Sequence, residues 1–219
     1  MTGSSPSLDE LQRELLHAFF ARERDFFLTG GAALVEFYLH HRVTKDLDLF
    51  GGPGADLERA ERALRDAAFA LGAQMTTLQR FAEFRRFSIQ RRNESTIVDL
   101  VIDRVPALQP KRVVGDVVVD SLEEIAANKL CTVLGRAEPR DLVDLMLILR
   151  AGVDLGSAVA GASAKDGGAD PATLAWVVGQ IRIGSEAVLP AGISGTELES
   201  FRADLELRLR RLAFPDESL

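Results

Sequence analysis

The sequence predicts an α+β protein, with a mixed β-sheet filling its N-terminal half and helices filling its C-terminal half. Three observations carry that expectation. Alternating or apolar β-like runs recur up to Val119 and stop there. From Ser121 onward the chain repeats helix-start signals, at Ser121 with Glu124, at Pro139, and at Asp170-Pro171. Neither half contains an internal repeat, a low-complexity tract or a long linker, so the change falls at one boundary near residue 120. The expected organisation is therefore 1–120 followed by a helical lobe, 121–219.

In chain order, Ser7 and Glu10 stand at the capping-box spacing ahead of Leu11, Leu15, Leu16 and Phe19, which predicts a helix from Leu8 to about Arg22. Phe26 to Leu28 is a short apolar strand running into the Gly30-Gly31 turn, and Ala32 to His41 is helical. Asp46 to Phe50 alternates polar and apolar, as a strand beside a cleft would. Asp56 to Leu71 is an amphipathic helix closed by Gly72. Strands follow at about 74–80, 84–91 and 95–103, the last two joined by a turn at Asn93-Glu94, and another spans Val113 to Val119. Helices are then expected from Ser121 to about Leu134, from Pro139 through Leu149, weakly from Asp154 to Lys165, after Asp170-Pro171, and from about Thr196 to Leu212.

Composition removes several classes of function. The single cysteine, Cys131, leaves no intramolecular disulfide framework and no multi-cysteine zinc site. No apolar run approaches the ~20 residues of a spanning helix. The N-terminal stretch lacks a basic segment followed by an apolar one, so a cytoplasmic protein without membrane association is expected. A net charge of −7 argues against nucleic-acid binding over the whole surface, though not against a local basic groove.

The stretch from Gly30 to Phe50 carries chemistry. Two glycines where a strand hands over to a helix let a phosphate approach the backbone. Asp46 and Asp48 at i and i+2 share one face of a strand, and two adjacent carboxylates are suited to sharing a cation. Mg²⁺ binds through one or two carboxylates plus substrate phosphates. A third acid is expected from a neighbouring strand: Asp99, among Ile97, Val98 and Leu100, or Asp103, which has the same parity at the strand end. Such a trio can hold two metals that clamp an in-line displacement at phosphorus.

The Gly-Gly turn, the run His41-Arg42-Val43-Thr44-Lys45-Asp46-Leu47-Asp48-Leu49-Phe50 and the run Pro139-Arg140-Asp141-Leu142-Val143-Asp144-Leu145 resemble the AbiEii/AbiGii nucleotidyltransferase toxin family, part of the DNA polymerase β-like superfamily. The motifs span about residues 25–150. The resemblance implies a nucleotidyltransferase fold and transfer of a nucleoside monophosphate from an NTP to a hydroxyl, with pyrophosphate released. It implies two Mg²⁺ ions, with Mn²⁺ as a substitute, on Asp46, Asp48 and Asp99. Gly30 and Gly31 would line the triphosphate pocket, Thr44 would offer a hydroxyl to phosphate, and Asp99 would help deprotonate the attacking hydroxyl. Lys129 matches the family's helix lysine, which reaches the triphosphate, and Arg140, Asp141 and Asp144 match its Arg-Asp-x-x-Asp motif, giving the helical lobe its share of the nucleotide site. The implied partners are an NTP, tRNA or another RNA as acceptor, and a cognate antitoxin.

Each feature also has a structural explanation. Gly30-Gly31 serves as a plain turn, Asp46 and Asp48 as residues of a solvated edge strand, Lys129 as a surface charge, and Arg140 and Asp141 as first-turn charges. Adjacent His40 and His41 point apart on a helix and are read as structural, Cys131 as a buried thiol, and Phe81, Phe84 and Phe87 as core. Arg85, Arg86, Arg91, Arg92, Lys111 and Arg112 form a basic cluster that fits either an RNA contact or a solvated hairpin. Two other functions stay open beside transfer to tRNA: modification of a small molecule or protein side chain, and nucleotide-binding regulation without transfer.

Overall fold

The computed structural model describes residues 7–105, 107–136, 138–184 and 189–215. The chain divides into two compact units, Met1–Ser121 and Leu122–Leu219.

The first unit contains helix α1 (Glu10–Phe20), strand β1 (Phe26–Thr29), helix α2 (Gly30–Leu34), strand β2 (Asp46–Gly51), helix α3 (Leu57–Ala70) and strands β3 (Gln74–Arg80), β4 (Phe84–Arg91), β5 (Glu94–Ile102), β6 (Arg112–Val114) and β7 (Val117–Val119). The strands form one sheet in the order β3-β4-β5-β2-β1-β7-β6. It is mixed: β2 runs parallel to β5 and β1 parallel to β7, while the other neighbours are antiparallel.

Three elements depart from the sequence expectation. The capping box of α1 sits two residues later than Ser7. Asp9 accepts from the Gln12 amide at 2.8 Å while the Gln12 side chain accepts from the Asp9 amide at 3.0 Å. Gln12 is wholly buried and also donates to the Thr44 carbonyl and the Thr96 hydroxyl, so tertiary contacts choose among equally spaced caps. The helix expected at Ala32 begins at Gly30, widens to a π-helical turn over Val35–Leu39, and ends where His40 turns left-handed at φ 50°. The strand expected from Val113 to Val119 is a hairpin, because Gly115 at φ +63° turns the chain between β6 and β7.

Alternation gives the sheet two unlike faces. Leu47, Leu49, Phe87, Ile89, Val98 and Leu100 are buried on one face, onto which α1 and α3 pack. Each such side chain contributes roughly 1.5–3 kcal/mol on burial. Of the three phenylalanines expected in the core, Phe87 is fully buried, whereas Phe81 is exposed and stacks on half-buried Phe84. The opposite face of β1, β2, β5 and β4 carries the polar side chains considered below.

The second unit is all helical: α4 (Leu122–Arg136), α5 (Pro139–Arg150), α6 (Leu155–Lys165), α7 (Pro171–Gln180) and α8 (Gly195–Ala213). Asp154, Asp170 and Ser194 cap α6, α7 and α8 through their side chains, satisfying amides that the first turn leaves unpaired. Helix α4 packs on α5, α6 and α7, and α8 packs on α7 and α5. Among the described residues no helix is long and apolar enough to cross a membrane.

Candidate active site

Register aligns the acids. Asp48 pairs with Thr29 of β1 on one side and Asp99 of β5 on the other, and Asp99 in turn pairs with Arg86 of β4. Thr29, Asp48, Asp99 and Arg86 therefore form one row across four neighbouring strands, on one face. Asp46 lies two residues before Asp48 on the same face, at the exposed start of β2. Asp103 lies elsewhere: it follows the end of β5, its amide donates to the Gly51 carbonyl at 2.8 Å, and its Oδ1 accepts from the Val105 amide at 2.9 Å. The acid beside Asp48 is thus Asp99, while Asp103 shapes a turn.

The two glycines at the end of β1 make room for charged groups. Gly30 has φ +63°, and a Cβ there would overlap the Asp48 carboxylate. A Cβ on Gly31 would stand 2.8 Å from Arg42 Nη2. The turn therefore accepts a carboxylate at one glycine and a guanidinium at the next. Thr44 lies in the segment leading to β2; its carbonyl accepts from Gln12 at 3.2 Å, which anchors that segment to α1. Behind Thr29, buried Asp120 accepts from the Thr29 hydroxyl and pairs with Lys111, whose ammonium lies 3.9 Å from the Phe27 ring centroid. The Asp120 carbonyl accepts from the Tyr38 hydroxyl at 2.6 Å.

Arg86 grips Asp99 with a two-pronged fork: Nε to Oδ1 at 2.8 Å and Nη2 to Oδ2 at 2.7 Å. The hydrogen bonds to Asp99 and the charges of Asp46 and Asp48 hold its guanidinium above the ordinary arginine range, outweighing the desolvation that opposes them. Among the described residues no three His, Cys, Asp or Glu side chains close on a common point. The donor chemistry nevertheless suits a hard divalent cation: Asp46 and Asp48 offer carboxylate oxygens on one face, and the missing side chain of Gly30 leaves space for the Asp48 carboxylate.

In the second unit, Lys129 of α4 meets Asp141 at 3.0 Å and Asp144 at 2.6 Å, one helical turn apart on α5. Arg136 also contacts both oxygens of Asp141, at 2.9 and 3.1 Å. Both aspartates are fully buried and Lys129 nearly so, which makes this an internal ion network rather than a solvated helix face. Burial pushes the Asp141 carboxyl up, but the Arg136 hydrogen bonds and the Lys129 charge outweigh it, leaving the group below the ordinary carboxylate range. Arg140 stands apart, half-exposed and paired with Glu138 at 2.8 Å.

Most of the basic cluster is paired with carboxylates. Arg85 is buried on the helix-covered face against Glu58 and Glu61 of α3. Arg91 pairs with Glu14 and Glu94, Arg86 with Asp99, and Lys111 with Asp120. Arg92, at φ 53° in the hairpin turn, and Arg112 are exposed. Sequence reasoning assigns no site role to Arg42, Asp120 or Arg136, and places Arg86 in the basic cluster rather than beside the acids. Arg42 lies inside the motif run, which was the available signal; the others depend on which strands and helices become neighbours. Cys131 is half-buried rather than buried, and burial pushes its thiol up.

The fold is shared with solved structures. JHP933 from Helicobacter pylori superposes with a TM-score of 0.56 at 18% identity, covering 95% of this chain and 97% of that one. MenT4, a nucleotidyltransferase toxin from Mycobacterium tuberculosis, gives 0.58 at 14% identity, covering 93% and 82%. No curated protein matches the sequence. At these identities the structural likeness establishes the nucleotidyltransferase fold. The family model for the nucleotidyl transferase AbiEii toxin of type IV toxin–antitoxin systems matches residues 13–216, and with that extent the chain belongs to the AbiEii nucleotidyltransferase toxin family.

Proposed function

We propose that this nucleotidyltransferase transfers a nucleoside monophosphate from an NTP to the 3′ end of tRNA in the cytoplasm, with Mg²⁺ as cofactor, and that a cognate antitoxin restrains it. The observation that carries the reading is the placement of Asp46, Asp48 and Asp99 on one face of two adjacent parallel strands, with Gly30 leaving room at Asp48. Asp46 and Asp48 are the residues that would hold Mg²⁺. A bound cation supplies charge neutralisation at the phosphates. Gly30, Gly31 and Arg42 then present backbone and a guanidinium to the triphosphate, and Thr44 contributes a hydroxyl. Asp99 takes the proton from the acceptor hydroxyl as its oxygen attacks the α-phosphorus. One P–O bond forms, the α–β bridging P–O bond breaks, and pyrophosphate leaves with the electron pair.

For the second unit we assign Lys129 to the nucleotide, with the motif's Asp141 and Asp144 as the buried carboxylates that position its ammonium. An ammonium has three N–H donors, so the two carboxylates leave Lys129 one donor for a phosphate oxygen. Arg140, which the motif assigns to the nucleotide, pairs with Glu138, while Arg136 supports Asp141.

Incubating the protein with each labelled NTP, Mg²⁺ and total tRNA tests the reading. Label is expected in tRNA, dependent on both divalent cation and enzyme. Label in a small molecule or a protein would replace the acceptor, and nucleotide binding without transfer from any NTP would replace catalysis by regulation.

A further inference from the structure

We infer that Arg86 is a built-in counter-cation of the site: it holds on Asp99 the place of a second divalent cation, and it exchanges onto a nucleotide phosphate when that cation is bound. The inference rests on the metal-dependent reading above.

Three carboxylates on one sheet face repel one another, and the chain supplies a compensating charge of its own. Arg86 is the partner across the strands from Asp99, and its fork uses both carboxylate oxygens, at 2.8 and 2.7 Å. A divalent cation on Asp99 needs at least one of those oxygens. It would also sit beside a fixed positive charge, so the two occupants exclude each other.

The fork is built to open. The Asp99 side chain is only 10% exposed, whereas that of Arg86 is 42% exposed, so the guanidinium approaches from the open side. It can withdraw by side-chain rotation without moving β4 or β5. Phe84, two residues earlier on the same face, places its ring centroid 5.5 Å from the guanidinium carbon. Neighbouring Arg85 shows the contrast: it is 6% exposed and held by two glutamates of α3, which suits a permanent structural pair. A planar guanidinium released from a carboxylate matches a phosphate equally well, so the withdrawn group binds the triphosphate without a change in its chemistry.

The test is divalent-cation binding in the absence of nucleotide, read from the electron paramagnetic resonance signal of unbound Mn²⁺. Arg86→Ala and Arg86→Gln should each bind Mn²⁺ about tenfold more tightly than the parent chain, or take up an additional ion. Both should bind NTP more weakly, and Arg86→Lys should be intermediate, since it keeps the charge and loses the fork. Arg86→Gln retains a polar side chain beside Asp99, and thermal melting of each metal-free variant checks folding. Unchanged or weaker Mn²⁺ binding in folded Arg86→Gln would overturn the inference and make the fork purely structural. The same titration on Asp46→Asn/Asp48→Asn separates the two claims. If Mn²⁺ binding in the parent chain depends on these acids and Arg86→Gln leaves it unaltered, the metal site stands and the exchange fails. If neither parent nor Arg86→Gln binds Mn²⁺ with NTP present, both fail.

Discussion

At Gly30 the backbone turns through φ +63° with the Asp48 carboxylate where a side chain would be. Gly30→Ala combines a left-handed alanine with a displaced acid, so it should destabilise by more than about 1 kcal/mol and reduce transfer far beyond that loss. Thermal melting alongside initial rates checks this; a fully active variant would mean that Asp48 need not lie there. Asp46→Asn and Asp48→Asn should differ from it in stability. Each removes one charge from a repelling set and with it part of the attraction to Arg86, so melting should stay close to the parent value while kcat falls by about 100-fold or more. Asp99→Asn should lower kcat strongly, and Asp103→Asn should alter mainly the turn it caps with the Val105 amide. These acids were legible because strand alternation converts i, i+2 spacing into a shared face. Arg86 was not, because alternation separates Arg85 from Arg86 without saying which of them meets the helices and which meets the acids. That depends on the register of β4 against β5, a non-local property.

Caps and glycine turns predicted most of the helices, and they erred where a tertiary contact chose between local alternatives. Gln12 is one example: its buried partners at Thr44 and Thr96 draw the start of α1 to Asp9. The α4–α5 pair shows a different limit. Sequence presents Lys129, Asp141 and Asp144 as motif positions, and packing shows that they also neutralise one another in the interior. Asp141→Asn leaves Lys129 and Arg136 short of a charge, which should cost about 3–5 kcal/mol in denaturant unfolding at neutral pH. The pH dependence follows from the lowered folded pKa of Asp141. Below its ordinary 3.8 the unfolded chain takes up the proton first, so this contribution is complete above that value and is lost as pH falls through the folded value. Denaturation midpoints measured from neutral pH down to about 2 should show a shallower acid limb in Asp141→Asn than in the parent chain. Equal limbs would mean that Asp141 titrates alike in both states.

With a net charge of −7, RNA binding would need a local basic patch, and ion pairing decides which residues of the sequence cluster could contribute to one. Of the six basic residues clustered in sequence, Arg85, Arg86, Arg91 and Lys111 are paired with carboxylates, while Arg92 and Arg112 are exposed on the same unit. A guanidinium already neutralised by a glutamate releases few counterions from RNA, so cluster density is a poor guide to phosphate contacts. Arg85→Met/Arg91→Met should therefore lower the melting temperature, by breaking the links to α3 and α1, and leave the salt dependence of tRNA binding unaltered. Arg92→Ala/Arg112→Ala should do the reverse: stability holds and affinity falls alike for different RNAs. The slope of log K against log salt should then flatten by about 0.7 for each phosphate of a single-stranded end that is no longer neutralised. NTP affinity should survive in this second variant, because neither arginine belongs to the glycine turn or the acid row. Affinity measured across a salt series for both double variants decides the matter. If Arg92→Ala/Arg112→Ala retains the parent slope, RNA phosphates do not meet the exposed arginines of the cluster, and a small molecule or protein side chain becomes the better acceptor for the hydroxyl chemistry that the acid row supports.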